Sequence, residues 1–549
     1  MKRSLLEIER IAYKPKLPAL FQQADSFNAK LGAAMESAGD HEQVKKHFPN
    51  TYGMPIVSFE AGQSKESKPL NLAVILSGGQ APGGHNVISG LFDALKKHHH
   101  KSKLYGFLGG PSGLIENKYR EISKELLANF RNTGGFDIIG SGRTKLESPE
   151  QFDKTRQHLE SLHINALVII GGDDSNTNAG ILAEYFLANK VNINVIGVPK
   201  TIDGDLKNEY IETSFGFDTA TKVYSELVGN IARDAKSAKK YWHFIKLMGR
   251  SASHITLECA LQTQPNIALI GEEAANFNHS LKAIVNDMAD IIAKRADNGE
   301  NFGVALIPEG LIEFIPEMRK LIDELNELMV IHQIELEKLE SLDEKISFIR
   351  EHITAESKEL LDILPVEIAR QLALDRDPHG NVQVSRIDTE KLLLEMVKIE
   401  LKRRKKEGSY AGKFSAQNHF FGYEGRCSMP SNFDADYGYS LGYTAAKLAI
   451  CGLTGYMSCI RNLSRPAIEW QPGGVPITSM LNMERRHGED RPVIQKALTK
   501  LDGEPFLKFK ANREKWSLET SYVYPGPIQY YGPDAVCNRT TISLELENQ

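Results

Sequence analysis

The chain has 549 residues, of which 41% are hydrophobic and 25% are charged, and its formal net charge is −5. This composition is ordinary for a globular protein and excludes a chain that is disordered throughout. A negative chain has no global attraction for nucleic acids or anionic membranes, so an anionic ligand would need a local cluster of basic side chains and backbone N–H groups.

The first predicted elements alternate between strands and helices. Residues 1–69 are mixed and polar, and we expect an N-terminal extension that packs on the main body. From Leu70 onward, four apolar runs end in glycine and small polar residues, as buried strands do: 71–79, 136–142, 165–175 and 193–205. Helices are predicted at 150–162 and 177–190. The alternation predicts a parallel sheet in a first lobe, residues 70–238, with ligands at the strand ends.

A second α/β lobe is predicted over residues 239–464. Three further strand-like runs indicate it: 242–249, 266–273 and 302–310. No glycine occurs between Gly310 and Gly380, and apolar residues there follow helical spacing, so we expect a helical insertion at about 316–408. Residues 465–549 contain several prolines and glycines and are predicted to form a C-terminal cap. The expected fold class is therefore α/β, with two doubly wound parallel-sheet lobes.

Cysteine usage and hydropathy predict a cytoplasmic protein with no membrane partner. The five cysteines are an odd number, and no two have the C-x-x-C spacing, which argues against a disulfide framework or a structural zinc site. No apolar run approaches the roughly 20 residues that span a bilayer. Charges interrupt the first 18 residues too often for a secretory signal. The basic run at 402–406 indicates a solvated helix end, so we expect no nucleic-acid partner.

A glycine-rich turn, SGGQAPGG at 77–84, follows the first predicted strand. Glycines between a strand and a helix let backbone N–H groups approach an anion closely. A tight turn without a ligand explains these glycines equally well, so the turn alone does not decide. It lacks the G-K-[ST] of a P-loop and the G-x-G-x-x-G of a dinucleotide-binding oxidoreductase.

Two further segments carry carboxylates at strand ends, GGDDS at 171–175 and PKTIDGD at 199–205. A bound Mg²⁺ would offset the repulsion between the adjacent Asp173 and Asp174. The alternative is that Asp174 or Ser175 caps the next helix. The second segment supplies the cation and the base that phosphoryl transfer needs. A polar turn is the alternative there, but the two segments together favour phosphoryl chemistry.

Six segments occur in one order along the chain: GGQAPG at 78–83, GGDD at 171–174, PKTIDGD at 199–205, MGR at 248–250, IPEG at 307–310 and YEGR at 423–426. Together they resemble the phosphofructokinase family over residues from about 70 to 460. The resemblance implies two lobes of phosphofructokinase type with the active site between them. The insertion and both extensions resemble the pyrophosphate-dependent branch. The implied reaction, in glycolysis, is Mg²⁺-dependent reversible phosphoryl transfer from pyrophosphate to the 1-hydroxyl of fructose 6-phosphate.

The resemblance implies a role for each residue that matches a family motif. Asp203 would be the base that takes the proton of the 1-hydroxyl, and Asp173 would hold Mg²⁺ with Asp205 assisting. Gly79 would lie in the loop that holds the diphosphate, and Arg143 would contact the transferred phosphate. The sugar phosphate would contact Thr201, Ile202, Met248, Gly249, Arg250, Tyr423, Glu424, Gly425 and Arg426.

Two further assignments from the resemblance concern the sugar. Glu309 is the first choice for the carboxylate that holds the sugar hydroxyls, and Glu272 is a second candidate that spacing does not exclude. Lys240 and Tyr241 sit where dimeric relatives lend residues to a neighbour's sugar phosphate. The resemblance therefore implies a homodimer with shared active sites.

Departures from the ATP-using branch bear on the phosphoryl donor. That branch has glycine where this chain has Asp174 and again where it has Lys200, so we predict that both act in catalysis with pyrophosphate. An ATP-dependent phosphofructokinase is the alternative enzyme. A non-catalytic subunit that senses sugar phosphate is the alternative outside catalysis, and the presence of both Asp203 and Asp173 argues against it.

Overall fold

The computed structural model describes residues 4–23, 26–62, 67–339, 341–374, 382–486, 489–528 and 538–549. Of the five cysteines, Cys537 lies outside these ranges, and the other four are free thiols. Two compact units group the chain. The first comprises Met1–Val223, Tyr423–Ala497 and Ile528–Gln549, and the second comprises Tyr224–Gly422 and Leu498–Pro527. The four successive segments expected from the sequence remain a prediction.

The strands of the described residues are short, and we number them in chain order. They are β1 (Phe27–Ala34), β2 (Pro55–Ala61), β3 (Asn71–Ser77), β4 (Lys103–Phe107), β5 (Tyr119–Glu121), β6 (Ser141–Gly142), β7 (Ala166–Gly171), β8 (Asn194–Thr201), β9 (Phe215–Gly216), β10 (Trp242–Leu247), β11 (Ile267–Ala268), β12 (Gly303–Pro308), β13 (Ala416–Phe421), β14 (Tyr456–Arg461), β15 (Gln471–Pro476), β16 (Leu481–Arg486) and β17 (Glu489–Ile494).

The α-helices of the described residues are numbered in the same way. They are α1 (Leu5–Ile11), α2 (Ala19–Gln23), α3 (His41–His47), α4 (Gly84–His98), α5 (Pro111–Glu116), α6 (Lys124–Leu127), α7 (Pro149–Ser161), α8 (Asp173–Ala188), α9 (Phe217–Ala238), α10 (His254–Thr263), α11 (Gly271–Asn276), α12 (Leu281–Asp297), α13 (Leu311–Phe314), α14 (Pro316–Ile331), α15 (Gln333–Lys338), α16 (Leu342–His352), α17 (Ala355–Ile363), α18 (Val366–Leu374), α19 (Thr389–Lys406), α20 (Tyr423–Cys427), α21 (Asn432–Ile450), α22 (Glu504–Leu518) and α23 (Ile542–Glu547).

An eleven-stranded sheet organises the first unit, in the order β1-β2-β15-β14-β8-β7-β3-β4-β5, with β6 beside β3 and β9 beside β8. Its centre, from β14 to β4, is parallel. Every residue of β7 is buried, and its apolar sequence ALVIIG suits a strand that is covered on both faces. The predicted parallel sheet of the first lobe is thereby confirmed.

Antiparallel strands extend this sheet at one side. Both the N-terminal extension and the region after residue 464 contribute them, because β15 pairs with β14 and with β2, and β2 pairs with β1. The hairpin of β16 and β17 follows β15 in the same unit. The strands within residues 27–61 and 471–494 of the two terminal regions therefore belong to the first unit.

A four-stranded parallel sheet, in the order β11-β12-β10-β13, organises the second unit. At its carboxyl edge Leu247 pairs with both Pro308 and Phe421, so these three strands end together. Between β12 and β13 the described residues form helices α13 to α19, in agreement with the predicted helical insertion. The apolar faces of these helices share one buried cluster with the sheet.

Two strand predictions were wrong over most of their length. The run at 136–142 forms a turn, and only Ser141–Gly142 is a strand. Gly135 and Gly140 adopt positive φ on either side of that turn, which breaks the extended backbone. The run at 266–273 is a strand only at Ile267–Ala268 before helix α11 begins. Within the described residues, none of the helices combines the length and apolarity needed to cross a bilayer.

Candidate active site

The carboxyl ends of β3, β7 and β8 meet at one edge of the large sheet. Leu76 pairs with Ile170, and Gly171 pairs with Pro199, so the three neighbouring strands stop at the same level. Loops that follow adjacent parallel strands converge at this edge. The three segments singled out in the sequence therefore lie side by side: 77–84, 171–175 and 199–205.

Lys200 lies against two glycine turns, one at Gly78 after β3 and one at Gly172 after β7. It is only 5% exposed. A Cβ built on Gly78 would come within 3.4 Å of the lysine Nζ, and a Cβ built on Gly172 would come within 4.0 Å. The amine thus rests against the backbone of both turns, where glycine leaves it room.

The electrostatic surroundings of Lys200 oppose its charge. Burial, together with Arg426 and Arg143, lowers the pKa of Lys200 to about 8, although Asp203 and Asp173 act in the opposite direction. Burial disfavours the charged form of an amine because water no longer solvates it. An anion bound at the glycine turns would stabilise that charge.

Three carboxylates, Asp173, Asp203 and Asp205, form what we call the carboxylate cluster. Burial, and then the negative charges of Asp203 and Asp173, raise the pKa of Asp205 to about 7, and Lys496 partly offsets this rise. Like charges this close favour a shared proton or a bound cation. The Asp203 backbone N–H donates to the Thr201 hydroxyl at 3.0 Å, which shapes the turn that carries Asp203.

The chemistry of the carboxylate cluster fits a hard divalent cation, since its oxygens are the ligands that Mg²⁺ prefers. Within the described part of the chain, no group of three or more His, Cys, Asp or Glu residues is arranged to hold a metal by itself. Mg²⁺ commonly binds through one or two carboxylates, with water and substrate phosphates as its other ligands. The fit is therefore to a cation that arrives with a phosphate.

The first turn of α8 carries Asp173 and Asp174. Its N-cap is Gly172, and no side chain makes a capping hydrogen bond. Asp174 lies 3.5 Å from the amine of Lys145, and Ser175 donates to the Ser77 hydroxyl at 2.8 Å. These contacts give no support to the alternative in which Asp174 or Ser175 caps the helix. Negative charge is favourable at this end of a helix because of the helix dipole.

Arg426 covers the glycine turn. Its Nη2 occupies the space in which a Gly79 side chain would lie, 1.6 Å from an ideal Cβ, and its Nε donates to the Gln80 carbonyl at 3.1 Å. Arg143 follows β6, which pairs with the end of β3. The turn is thus lined by basic side chains, as binding of an anion requires.

The rest of the YEGR segment forms the short helix α20. Gly425 is buried, Glu424 is exposed, and Tyr423 is 70% exposed. Of the TID segment, Thr201 is half-buried and Ile202 is fully buried. These predicted sugar-phosphate contacts all belong to the first unit.

Met248, Gly249 and Arg250 follow β10 at the carboxyl edge of the second sheet. Glu309 follows β12 and is 2% exposed. Its carboxylate accepts a hydrogen bond from the Gly249 N–H at 3.3 Å. The rival carboxylate, Glu272, accepts instead from the backbone of Ser253 and Thr499, at 3.0 and 2.9 Å. In these contacts, the Glu309 carboxylate is hydrogen-bonded to the MGR segment, whereas the Glu272 carboxylate is bonded elsewhere.

Lys240 and Tyr241 lie at the opposite end of β10 from Met248. Lys240 is exposed, and the Tyr241 ring packs against His243 with 6.3 Å between the ring centroids. The strand between them has six residues, which is about 20 Å of extended chain. Within one subunit, these two residues and the MGR segment therefore lie at opposite ends of β10.

Sequence reasoning missed two basic residues beside the predicted acidic ones. Lys145 neighbours Asp174, and Lys496 lies 3.9 Å from Asp173. Lys145 stands two residues after Arg143, so its proximity to that motif was a signal. Lys496 stands in the predicted C-terminal cap, outside every motif, and had no such signal.

A parallel sheet with a glycine turn, carboxylates and a buried lysine at one edge defines an α/β enzyme that handles phosphate groups. Comparison with known proteins leads to a narrower class. Residues 71–449 match the family model described as phosphofructokinase. The chain belongs to the phosphofructokinase family.

Full-length relatives share much of the sequence. The pyrophosphate–fructose 6-phosphate 1-phosphotransferase of Porphyromonas gingivalis is 56% identical over 548 residues, covering 100% of this chain and 99% of that protein. The protein of the same name from Treponema pallidum (strain Nichols) is 55% identical, covering 100% of this chain and 97% of that protein. The crystal structure of a pyrophosphate-dependent phosphofructokinase from Marinobacter aquaeolei matches with a TM-score of 0.54 at 16% identity, covering 82% of this chain and 93% of that one. That match supports the fold.

The lowered pKa of Lys200 predicts a pH dependence. Below about pH 8 the amine of the free enzyme is charged and attracts an anion, and above it the charge is lost. We expect kcat/KM for diphosphate, which reports the free enzyme, to fall as the pH rises through 8. Lys200→Met should have a lower kcat/KM that lacks this fall. Parallel pH profiles of wild type and Lys200→Met would contradict the assignment of this fall to the Lys200 amine.

Proposed function

We propose that this chain catalyses reversible phosphoryl transfer from pyrophosphate to the 1-hydroxyl of fructose 6-phosphate, giving fructose 1,6-bisphosphate and phosphate in glycolysis. The observation that carries the proposal is the buried amine of Lys200 against both glycine turns. A fixed positive charge there suits a small, highly charged donor whose leaving group is phosphate itself. The full-length similarity to pyrophosphate-dependent relatives supports the same donor.

Asp203 is the proposed general base. It lies at the carboxyl edge of β8 in a turn shaped by Thr201, close enough to Lys200 and Asp205 to perturb the pKa of both. A carboxylate beside a lysine can take the proton of the attacking hydroxyl while the lysine stabilises charge on the leaving phosphate. Arg143 and Gly79 are proposed to bind the diphosphate, and Asp174 assists in selecting it.

Asp173 is proposed to hold Mg²⁺ with help from Asp205. When bound, the cation would supply charge neutralisation to the phosphoryl oxygens. The supporting observation is the raised pKa of Asp205, which is caused first by burial and then by the negative charges of Asp203 and Asp173.

The sugar phosphate is proposed to contact Thr201, Ile202, Met248, Gly249, Arg250, Tyr423, Glu424, Gly425 and Arg426. Glu309 is proposed to hold the sugar hydroxyls, because its carboxylate contacts the MGR backbone. Arg426 packs on Gly79 and so also brings positive charge to the glycine-rich turn proposed to bind the diphosphate.

We further propose a cytoplasmic homodimer in which each subunit lends Lys240 and Tyr241 to its neighbour's sugar phosphate. The observation in favour is their place about 20 Å along β10 from the MGR segment of the same subunit. A side chain of ordinary length does not bridge that distance, so a role at the sugar phosphate requires a second subunit.

The donor test compares pyrophosphate with ATP for the purified enzyme, with fructose 6-phosphate and Mg²⁺ present. Wild type should use pyrophosphate, and Asp174→Gly should lose pyrophosphate activity and gain measurable ATP activity. A carboxylate about 4 Å from an α-phosphate repels it by up to about 4 kcal/mol at an effective dielectric near 20, and Lys145 reduces this repulsion. Asp174→Asn distinguishes the effect of the charge from the effect of side-chain size, because it removes the charge and nearly preserves the size. A wild type that prefers ATP would refute the proposed donor.

Asp203→Asn should fold normally and lose about 10²–10⁴ in kcat, with little change in either KM, because only the proton acceptor is removed. Steady-state kinetics and thermal unfolding measure the two effects. Asp502→Asn, at an exposed position, is the matched control and should match wild type. Near-normal turnover of well-folded Asp203→Asn would exclude this base.

Hybrid dimers test the shared site. Asp203→Asn protein mixed with a Lys240→Ala, Tyr241→Ala double variant should recover part of the activity that each lacks alone, because one site of the hybrid is intact. Sedimentation analysis with an activity assay identifies the smallest active species. A monomer with full activity would rule out the shared site.

A further inference from the structure

The segment after β17 returns to the carboxylate cluster. Lys496 Nζ lies 3.9 Å from a carboxylate oxygen of Asp173. The next residue, Ala497, donates its N–H to the Asp205 carbonyl at 2.8 Å. A backbone hydrogen bond thus fixes the chain beside the cluster, so the position of this lysine does not depend on a long mobile loop.

Further contacts anchor the same segment along the start of α8. The Ile494 N–H donates to the Thr177 hydroxyl at 3.1 Å, in the second turn of that helix. Arg491, on β17, lies 3.6 Å from Glu147. The segment from 491 to 497 therefore runs from Glu147 along the start of α8 to Asp173 and Asp205, the residues proposed to bind the cation.

We propose that Lys496 is a further donor-binding residue, which contacts the diphosphate from the C-terminal segment of the chain. The inference rests on the proposed function. The Lys496 side chain is 36% exposed, so a ligand can reach its amine. An ammonium on a four-carbon stem can turn from a carboxylate to a phosphate oxygen without movement of the backbone. When Asp173 takes up a cation, its attraction for the amine weakens, and the phosphate oxygens become the better partner.

A purely structural role predicts different behaviour. The ion pair with Asp173 is partly exposed, and pairs of that kind contribute little to stability. Its loss alone would leave diphosphate affinity close to the wild-type value. A contact with the donor would instead appear in the KM for diphosphate and leave the KM for fructose 6-phosphate unchanged.

The experiment compares Lys496→Met, Lys496→Arg and, as a control, Lys500→Met, which removes an exposed lysine four residues further on. We expect Lys496→Met to raise the KM for diphosphate by about 10-fold to 100-fold, the range for loss of a hydrogen bond to a charged group. The KM for fructose 6-phosphate should stay within about twofold. Lys496→Arg, which keeps the charge, should restore most of the affinity.

Titration calorimetry of diphosphate with Mg²⁺, without the sugar, gives a second readout and should show the same loss of affinity. A Lys496→Met enzyme that matches Lys500→Met in both measurements overturns the proposal. A lower melting temperature with equal rises in both KM values also overturns it, because that pattern is structural. If wild type uses ATP and does not bind diphosphate, the proposed function itself has failed.

Discussion

Like-charge repulsion at the carboxyl edge of the large sheet is the constraint around which the first unit is built. Asp173, Asp203 and Asp205 share one small region, and burial with their mutual repulsion raises the pKa of Asp205 to about 7. Nearby, burial lowers the pKa of Lys200 to about 8. Both shifts disfavour the charged form of the group, and a bound cation or phosphate would favour it. The site therefore favours a ligand that carries both charges, as a phosphate with its cation does.

The parallel sheet makes this crowding tolerable. β3, β7 and β8 stop at the same level, so three loops deliver their polar residues to one edge, and every residue of β7 beneath that edge is buried and lacks a polar side chain. Glycine turns then let Lys200 and Arg426 lie directly on the backbone. A side chain at Gly79 would displace the guanidinium of Arg426 and so change the balance between basic and acidic groups.

The two ends of the chain take part in this arrangement. β1, β2 and β15 widen the sheet, and the segment after β17 brings Lys496 to Asp173. The C-terminal region thus contributes a positive charge beside Asp173 as well as strands to the sheet. A family assignment based on residues 71–449 does not include this segment. The proposed donor site accordingly includes a residue from outside the part of the chain that matches the family model.

Local pattern determined much of this protein. Apolar runs that end in glycine predicted β3, β7 and β8. The motifs at their ends made Asp173, Lys200 and Asp203 candidate site residues, because the carboxyl ends of parallel strands form the ligand-binding edge. The run at 136–142 misled because its glycines favour a turn over a strand.

Tertiary structure alone decided the partners of these residues. Lys145 beside Asp174, Lys496 beside Asp173 and Arg426 over Gly79 join positions that are distant in sequence or belong to no shared motif. The pKa shifts of Lys200 and Asp205 are likewise tertiary, since burial and neighbouring charge cause them. A local pattern sets which groups a loop carries, whereas the packing of distant segments sets which charges those groups face.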